Sequence, residues 1–515
     1  MLRTACILLR RATFLTLLIP GLVLAMTSAP KSGPFRVVVS TPMTSLDPVQ
    51  TVDAATLQVH LNTYALLYRQ RASGTLEPSL ATEARPSQEG RHWEIELRKG
   101  VHFCGTAQGR EVRAEDVVAT LLRAATHPRS RVSWLFRDLK KAGNNPAIKV
   151  TGPYSLTLDF DRPIDLPRYL ALPQLGILPQ EAAERDKLDF KGHSLGSGPY
   201  RITKVLPDRI ELEACPLGWP HATVKEVSLR VIRDPEVALG VLSAGRADAI
   251  DLSFSQWRRM QKPGAVPKGF RLVEQARVAD FEFIVLNTQN PKLRDRRIRQ
   301  ALNYALDRAK LCSGPLLGYC VPGDFTSIIT DAQPTNDLYR PDLAKAAWKA
   351  APEHPTSLTL LSLPDERNVT TASWVAEQWR QAFGLETKIR TIEFGPLLGT
   401  LFGGKDYEMA TLWVQPLADI PEIWYLAWQP GDLPPKGRNV ARLDDPDFTS
   451  AFRDFQARGS RPEILKRVED SLRANPPAIP LGRRRDAWLI SEHYQWKKGP
   501  VLAMELWMVS RQAER

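Results

Sequence analysis

The sequence predicts an α/β protein built on more than one sheet, and three observations lead there. Short alternating strand patterns interleave with helical stripes along the whole chain. The 41 prolines outnumber the 31 glycines, which favours extended segments and fixed turns over a helical bundle. A chain of 515 residues that is 43% hydrophobic and 24% charged has the make-up of a folded protein. At roughly 150 residues per unit it has room for about two to four domains.

The elements follow in order. Phe35–Val39 reads as a strand stopped by Ser45-Leu-Asp-Pro48. Thr56 to Leu67 has helical spacing, with Leu57, Leu61, Tyr64 and Leu67 on one side. His92–Arg98 and Tyr154–Phe160 alternate as half-buried strands. Between them Val117, Val118, Leu121 and Leu122 form a helical stripe behind Glu115 and Asp116, acids suited to a helix N-terminus. Tyr200–Glu213, Val224–Val231 and Glu282–Leu286 read as further strands. Ile298, Ala301, Leu302, Ala305 and Leu306 define the clearest helix face in the chain. Ser357–Leu363 is a strand, Trp374, Val375, Trp379 and Phe383 line the next helix, and Ala487–Ile490 reads as a last strand entering a core.

The first 29 residues form an address. Arg3, Arg10 and Arg11 precede an apolar run, Ala12–Met26, and then small residues Thr27, Ser28 and Ala29. That is the pattern of a secretory signal peptide; the run is too short to span a bilayer and contains Pro20. Cys6 lies ahead of the run, so no lipid-anchor cysteine follows it. The mature chain is expected to be exported, soluble and untethered. Export also removes three arginines and no acid, which lowers the net charge from +12 to +9. The remaining basic residues are scattered and sit beside acids, with no zinc-finger spacing or RNA-binding motif, so a nucleic-acid partner is not expected.

Cys104, Cys215, Cys312 and Cys320 remain after export. An even number in an oxidising compartment permits two disulfides, for instance Cys312–Cys320 across one short loop and Cys104–Cys215. Three pairings are open, as is a set of buried free thiols. The histidines are dispersed and no nucleotide-binding loop appears, so neither a metal nor another cofactor is expected. Gly192-His-Ser-Leu-Gly196 matches the nucleophile-elbow pattern with Ser194 as nucleophile. Asp189-Phe-Lys before it and Ser197-Gly-Pro199 after it supply neither the strand nor the helix that elbow needs, so a turn is the better reading. A secreted serine hydrolase remains the enzyme-class rival.

A series of blocks in fixed order carries more. Ser45-Leu-Asp-Pro48 and Gly74-Thr-Leu-Glu-Pro-Ser-Leu-Ala81 come first, then Trp93–Phe103 and Arg113-Ala-Glu-Asp-Val117. Gly196-Ser-Gly-Pro-Tyr200, Leu242–Asp248, Leu286-Asn-Thr288 and Ile298–Asp307 follow. From about residue 35 to the C-terminus the chain resembles the family 5 extracellular solute-binding proteins of ABC importers, the dipeptide- and oligopeptide-binding group. The resemblance implies a two-lobe, Venus-flytrap fold with an extra subdomain in the first lobe. Lobe one would take residues 30–277, with the subdomain near 53–185. Lobe two would take 278–485, and residues 486–515 would return to lobe one.

The same resemblance implies a periplasmic receptor, monomeric and not an enzyme, that binds a short peptide or similar small solute between its lobes and delivers it to an inner-membrane ABC permease. A ligand sensor on the same fold is the second rival. Peptide binders of the family hold the ligand's amino terminus with an aspartate in a G-W-x-x-D-type segment. Trp413-Val-Gln415-Pro-Leu-Ala-Asp419 occupies that place here, with Leu412 where the glycine would be, and Asp419 is the residue carried over. Met43 and Thr44 would line the cleft from lobe one through backbone groups, and Tyr425, beside Trp424, would wall it. Arg484 alternates away from Arg483 and Arg485, so one face would meet an anionic ligand group or form a solvated basic patch. Arg113 stands where relatives carry a helix-capping hydroxyl.

Overall fold

Among the described residues apolar alternation builds three larger sheets, beside three two-stranded ones, and the order in which the chain visits the larger sheets defines the molecule. The computed structural model describes residues 33–41, 43, 45–51, 53–71, 75–105, 109–142, 145–188, 195–274, 280–325, 338–414, 428–429, 431–458, 461–497 and 504–512. The first sheet has seven strands in the order Tyr200–Leu206, Arg209–Ala214, Glu226–Val231, Phe35–Val39, Ala249–Asp251, Ala487–Ser491, Phe270–Glu274. Phe35–Val39 lies at its centre, parallel to both neighbours, and is buried on both faces as such a strand requires. The second sheet has six strands in the order Cys320–Pro322, Ala478–Arg484, Asp280–Leu286, Met409–Val414, Ser357–Ser362, Glu386–Thr391. A four-stranded antiparallel sheet, Ala81–Ser87, His92–Leu97, Ser155–Asp159 and Ile148–Gly152, belongs to the subdomain.

The chain therefore passes from the first sheet to the second between Glu274 and Asp280, and returns between Arg484 and Ala487. The ends of the two crossings are paired, Glu274 with Ala487 and Asp280 with Arg484, as in a hinge between two lobes. An apolar cluster packs across it, with Ile250, Leu252, Phe254, Trp257 and Leu489 from lobe one and Ile284, Leu286, Leu302 and Trp379 from lobe two. Trp379 is fully buried in it, and its indole N–H donates to the Leu302 carbonyl at 2.9 Å. Arg258 and Glu366 pair across the lobes at 2.8 Å.

The predicted helix over 56–67 is Ala54–Thr63, and Tyr64 is already extended. The apolar spacing continues because Ala65 and Leu67 are buried too, but in the subdomain core. The Thr63 carbonyl instead accepts the Gly198 N–H at 3.0 Å. A Cβ at Gly196 would collide with that same oxygen, so the Gly196-Ser-Gly198 block lets one backbone lie directly on a helix end. Ser194, the rival nucleophile, lies outside the described residues. Arg113 offers no hydroxyl to the helix Ala114–Thr126, and Asp116 takes over: it accepts the Arg113 N–H (2.8 Å) and two Arg110 guanidinium nitrogens (2.8 and 2.6 Å).

His60, on the helix Ala54–Thr63, is fully buried, with its Nε2 3.1 Å from the Leu46 carbonyl. Burial is the main cause that lowers its pKa from 6.5 to about 4. The unfolded chain therefore takes up a proton near pH 6.5 that the folded chain refuses until about pH 4. Stability from this group is full above pH 6.5 and falls through that window by about 3 kcal/mol. In His60→Gln, urea midpoints at pH 7 and pH 4.5 are expected to lie closer together than in the wild type. An equal separation in both proteins would remove His60 as the cause.

Candidate functional site

The parallel strands of the first sheet end in polar residues that face the hinge. Ser40 follows Phe35–Val39, and Asp251 ends Ala249–Asp251. The Ser40 hydroxyl donates to Asp251 Oδ2 at 2.6 Å and its backbone N–H to the same oxygen at 3.3 Å. Burial raises the Asp251 carboxyl above its ordinary range despite these two bonds, and the nearby Asp486 carboxylate adds to the rise. Met43, just beyond, is half-buried and packs on the core of lobe one.

Lobe two brings the second half. Glu282 lies opposite Trp413 on one neighbouring strand and opposite Gly482 on the other. Directly opposed residues share a sheet face, and Arg484 lies two residues beyond Gly482, so Glu282, Trp413 and Arg484 fall together. Arg367, at the start of the helix Glu366–Phe383, reaches this face and pairs with Glu282 at 2.9 Å. Both groups are buried, and the second Glu282 oxygen has no hydrogen-bond partner. Burial holds the Glu282 carboxyl above its usual range; Arg367 and Arg484 oppose the rise and Asp365 adds to it.

Arg484 is not part of a solvated patch. Its Nε donates to Asp486 Oδ1 at 2.8 Å, and its guanidinium carbon stands 5.7 Å from the centre of the Trp413 ring. Phe394 stacks beside Trp413, centroids 6.2 Å apart and planes 13° from parallel, while remaining 47% exposed. Arg483 is buried, and Arg485 lies 3.7 Å from the Glu274 carboxylate across the first crossing. The strand ends at Arg484, so the alternation read from the three arginines stops there.

The subdomain also meets lobe two. Arg137 donates to the Gln429 side-chain oxygen and Arg162 to the Gln456 carbonyl, each at 3.2 Å, and Arg438 stands 5.8 Å from the Trp134 ring centre. The space between the lobes is thus spanned by side-chain contacts as well as by the hinge.

Of the residues singled out from sequence, Met43, Trp413 and Arg484 are described, and Trp413 and Arg484 are brought together. Thr44, Gln415, Asp419 and Tyr425 lie outside the described residues. Cys104 bonds to Cys215 and Cys312 to Cys320, with Cα–Cα distances of 6.0 and 5.1 Å. Ser40, Asp251, Glu282, Arg367, Phe394 and Asp486 were not anticipated. Glu282 alone left a signal, a single acid inside the apolar run Phe281–Leu286.

Among the described residues no group of three or more His, Cys, Asp or Glu side chains is placed to hold a metal, and no helix is long and apolar enough to cross a membrane. Chemically the hinge face offers four carboxylates, from Asp251, Glu282, Asp365 and Asp486, against two guanidinium groups, from Arg367 and Arg484. It suits a cationic group flanked by aromatic rings.

Residues 75–434 match the family model "Bacterial extracellular solute-binding proteins, family 5 Middle". The glutathione-binding protein GsiB of Salmonella choleraesuis is 23% identical over 466 residues, 86% of this chain and 88% of that protein. The solved structure of DppA from Helicobacter pylori in complex with the peptide STSA is similar at TM-score 0.76 and 17% identity, covering 93% of this chain and 98% of that one. NikZ from Campylobacter jejuni, in complex with Ni(L-His), also reaches TM-score 0.76, at 18% identity over 93% of this chain and 99% of that one. A two-lobe fold with crossings at 274–280 and 484–487, joined to a family match over most of the chain, places the protein among the family 5 bacterial extracellular solute-binding proteins.

Proposed function

We propose that the protein is the periplasmic receptor of an ABC importer and that it traps a short peptide by its amino terminus in the interlobe cleft. The excess of carboxylates at the hinge face carries this reading. Two of them, Asp251 and Glu282, are held above their usual range by burial, and an incoming ammonium group would stabilise their charged forms. Asp419 would add the direct partner, Trp413 and Phe394 an apolar wall, and Met43, Thr44, Gln415 and Tyr425 the remaining contacts. The lobes would be 30–277 and 278–485, with the return from 486. Names among the relatives support a peptide-sized ligand: glutathione for GsiB and the peptide STSA for DppA.

Function then follows from closure alone, with no bond made or broken. A ligand touching both lobes binds the closed form better and shifts the population toward it. Moving the ratio from 1:99 to 99:1 needs about 5.5 kcal/mol of differential binding. The monomer, exported by residues 1–29, would then present that shape to the permease.

Native mass spectrometry of the protein from periplasm is expected to show bound short peptides. Against a mixture of di- and tripeptides, Asp419→Ala is expected to bind about 10- to 100-fold more weakly, the worth of one charge-assisted contact, with an unchanged circular dichroism spectrum. N-acetylated peptides should not bind the wild type. Tight binding of the acetylated set would overturn recognition through the amino terminus.

A further inference from the structure

A cavity of about 600 Å³ opens on lobe two past the end of the strand Asp280–Leu286, away from the crossing. Arg294, Arg296, Arg299 and Arg442 line it, against one carboxylate, Asp444. Elsewhere guanidinium groups meet acids: Arg297 is 2.7 Å from Asp295 and Arg36 is 2.8 Å from Asp248. Here they do not. Arg299 is 2% exposed, and it donates to the carbonyls of Pro476, Leu293 and Arg294 and to the Asn475 amide oxygen. Arg442 donates to the carbonyls of Gly404 and Lys405. Arg294 and Arg296 form no ion pair with any described residue.

Every bonded partner of these guanidinium groups is therefore neutral; the Asp295 and Asp445 carboxylates act on Arg299 only at longer range, Asp445 already accepting from the Asn475 amide at 2.6 Å, and balance part of the charge. Burial pulls the Arg299 pKa down to about 10; the Asp295 and Asp445 carboxylates oppose the fall and Arg296 adds to it, and the group stays charged at neutral pH. The backbone at Arg442 adds a second sign. It stands at φ +56°, a conformation only glycine adopts freely. The Thr288 hydroxyl holds it there, donating to the carbonyls of Ala441 (3.0 Å) and Arg442 (2.9 Å), and the Arg442 N–H donates to Asn439 (3.0 Å). Such conformations persist where the surroundings over-determine them, as at ligand clamps.

We propose that this cavity is a second binding site, separate from the cleft, for a compact polyanion of the phosphoryl class. Counted with the neighbouring Arg297–Asp295 pair and Asp445, five guanidinium groups stand against three carboxylates, which leaves more positive charge than a monocarboxylate balances, and guanidinium forks match phosphoryl oxygens in pairs. A free phosphoryl compound and an anionic lipid headgroup carry the same chemistry.

The test titrates the purified full chain at low ionic strength with inorganic pyrophosphate by calorimetry, and with phosphatidylglycerol vesicles by sedimentation. Pyrophosphate is expected to bind once per chain, and Arg294→Gln/Arg296→Gln to weaken it at least tenfold. Arg201→Gln, a surface arginine paired with Glu213, should leave it within twofold. Vesicle binding alone, lost in the double variant, keeps the phosphoryl site and names the headgroup as its source. Saturable binding of neither probe, or a double variant within threefold of the wild type for both, overturns the proposal. The cleft plays no part in either readout, so peptide binding succeeds or fails independently.

Discussion

Arg367→Met is expected to destabilise the protein by about 3–5 kcal/mol at pH 8, measured by urea denaturation, because it strands a buried carboxylate. Arg367 and Glu282 are both nearly inaccessible and pair at 2.9 Å, and the second Glu282 oxygen has no partner. Losing the cation removes the attraction that opposes the burial-driven rise of the Glu282 pKa, so that pKa climbs further above its unfolded value. A group whose folded pKa is raised is least costly below its unfolded pKa, and its charge becomes a penalty as pH rises toward the folded value. The defect should therefore be smaller at pH 5 than at pH 8. Glu282→Gln combined with Arg367→Met removes both charges and should be more stable at pH 8 than Arg367→Met alone. Two independent, additive losses would mean that the pair is not coupled, and the hinge face would then owe its shape to packing alone.

The same residues show what sequence could and could not convey. Strands such as Phe35–Val39 and His92–Leu97 were legible because burial of one or both faces imposes a pattern on consecutive residues. The helix face from Ile298 was legible for the same reason, and the helix Arg296–Tyr304 carries it. The end of the helix Ala54–Thr63 was not, because Thr63 is capped by Gly198 from far along the chain. The hinge face was less legible still. Ser40, Asp251, Glu282, Arg367 and Asp486 come from five separate segments, and only the sheet order and register bring them together. Family resemblance points to Trp413, since a motif travels with its neighbours in sequence. Phe394 beside it has no such neighbours and appears only as a ring stacked in space.

Removing the Cys104–Cys215 bond is expected to cost about 5 kcal/mol, and removing Cys312–Cys320 about half as much. The first closes a loop of 111 residues and the second a loop of 8, and a cross-link restricts the unfolded chain more as its loop lengthens. The local surroundings point the same way. The Cys104 N–H donates to the Gly196 carbonyl (3.0 Å) and the Cys215 N–H to the Pro199 carbonyl (2.8 Å), so the long bond fixes the segment on which the helix Ala54–Thr63 ends. The short bond lies under the returning strand: a Cβ at Gly482 would approach both its sulfurs within 3.5 Å, and Cys320 pairs with Arg484 in the sheet. Urea midpoints of Cys104→Ala/Cys215→Ala and Cys312→Ala/Cys320→Ala, read without reductant, test the order, and equal losses or a reversed order would show that chain entropy is not the source. Peptide affinity should rank the two the other way. The short bond braces the strand that carries Arg484 to the Trp413 ring, so its loss loosens the cleft while taking less from the fold.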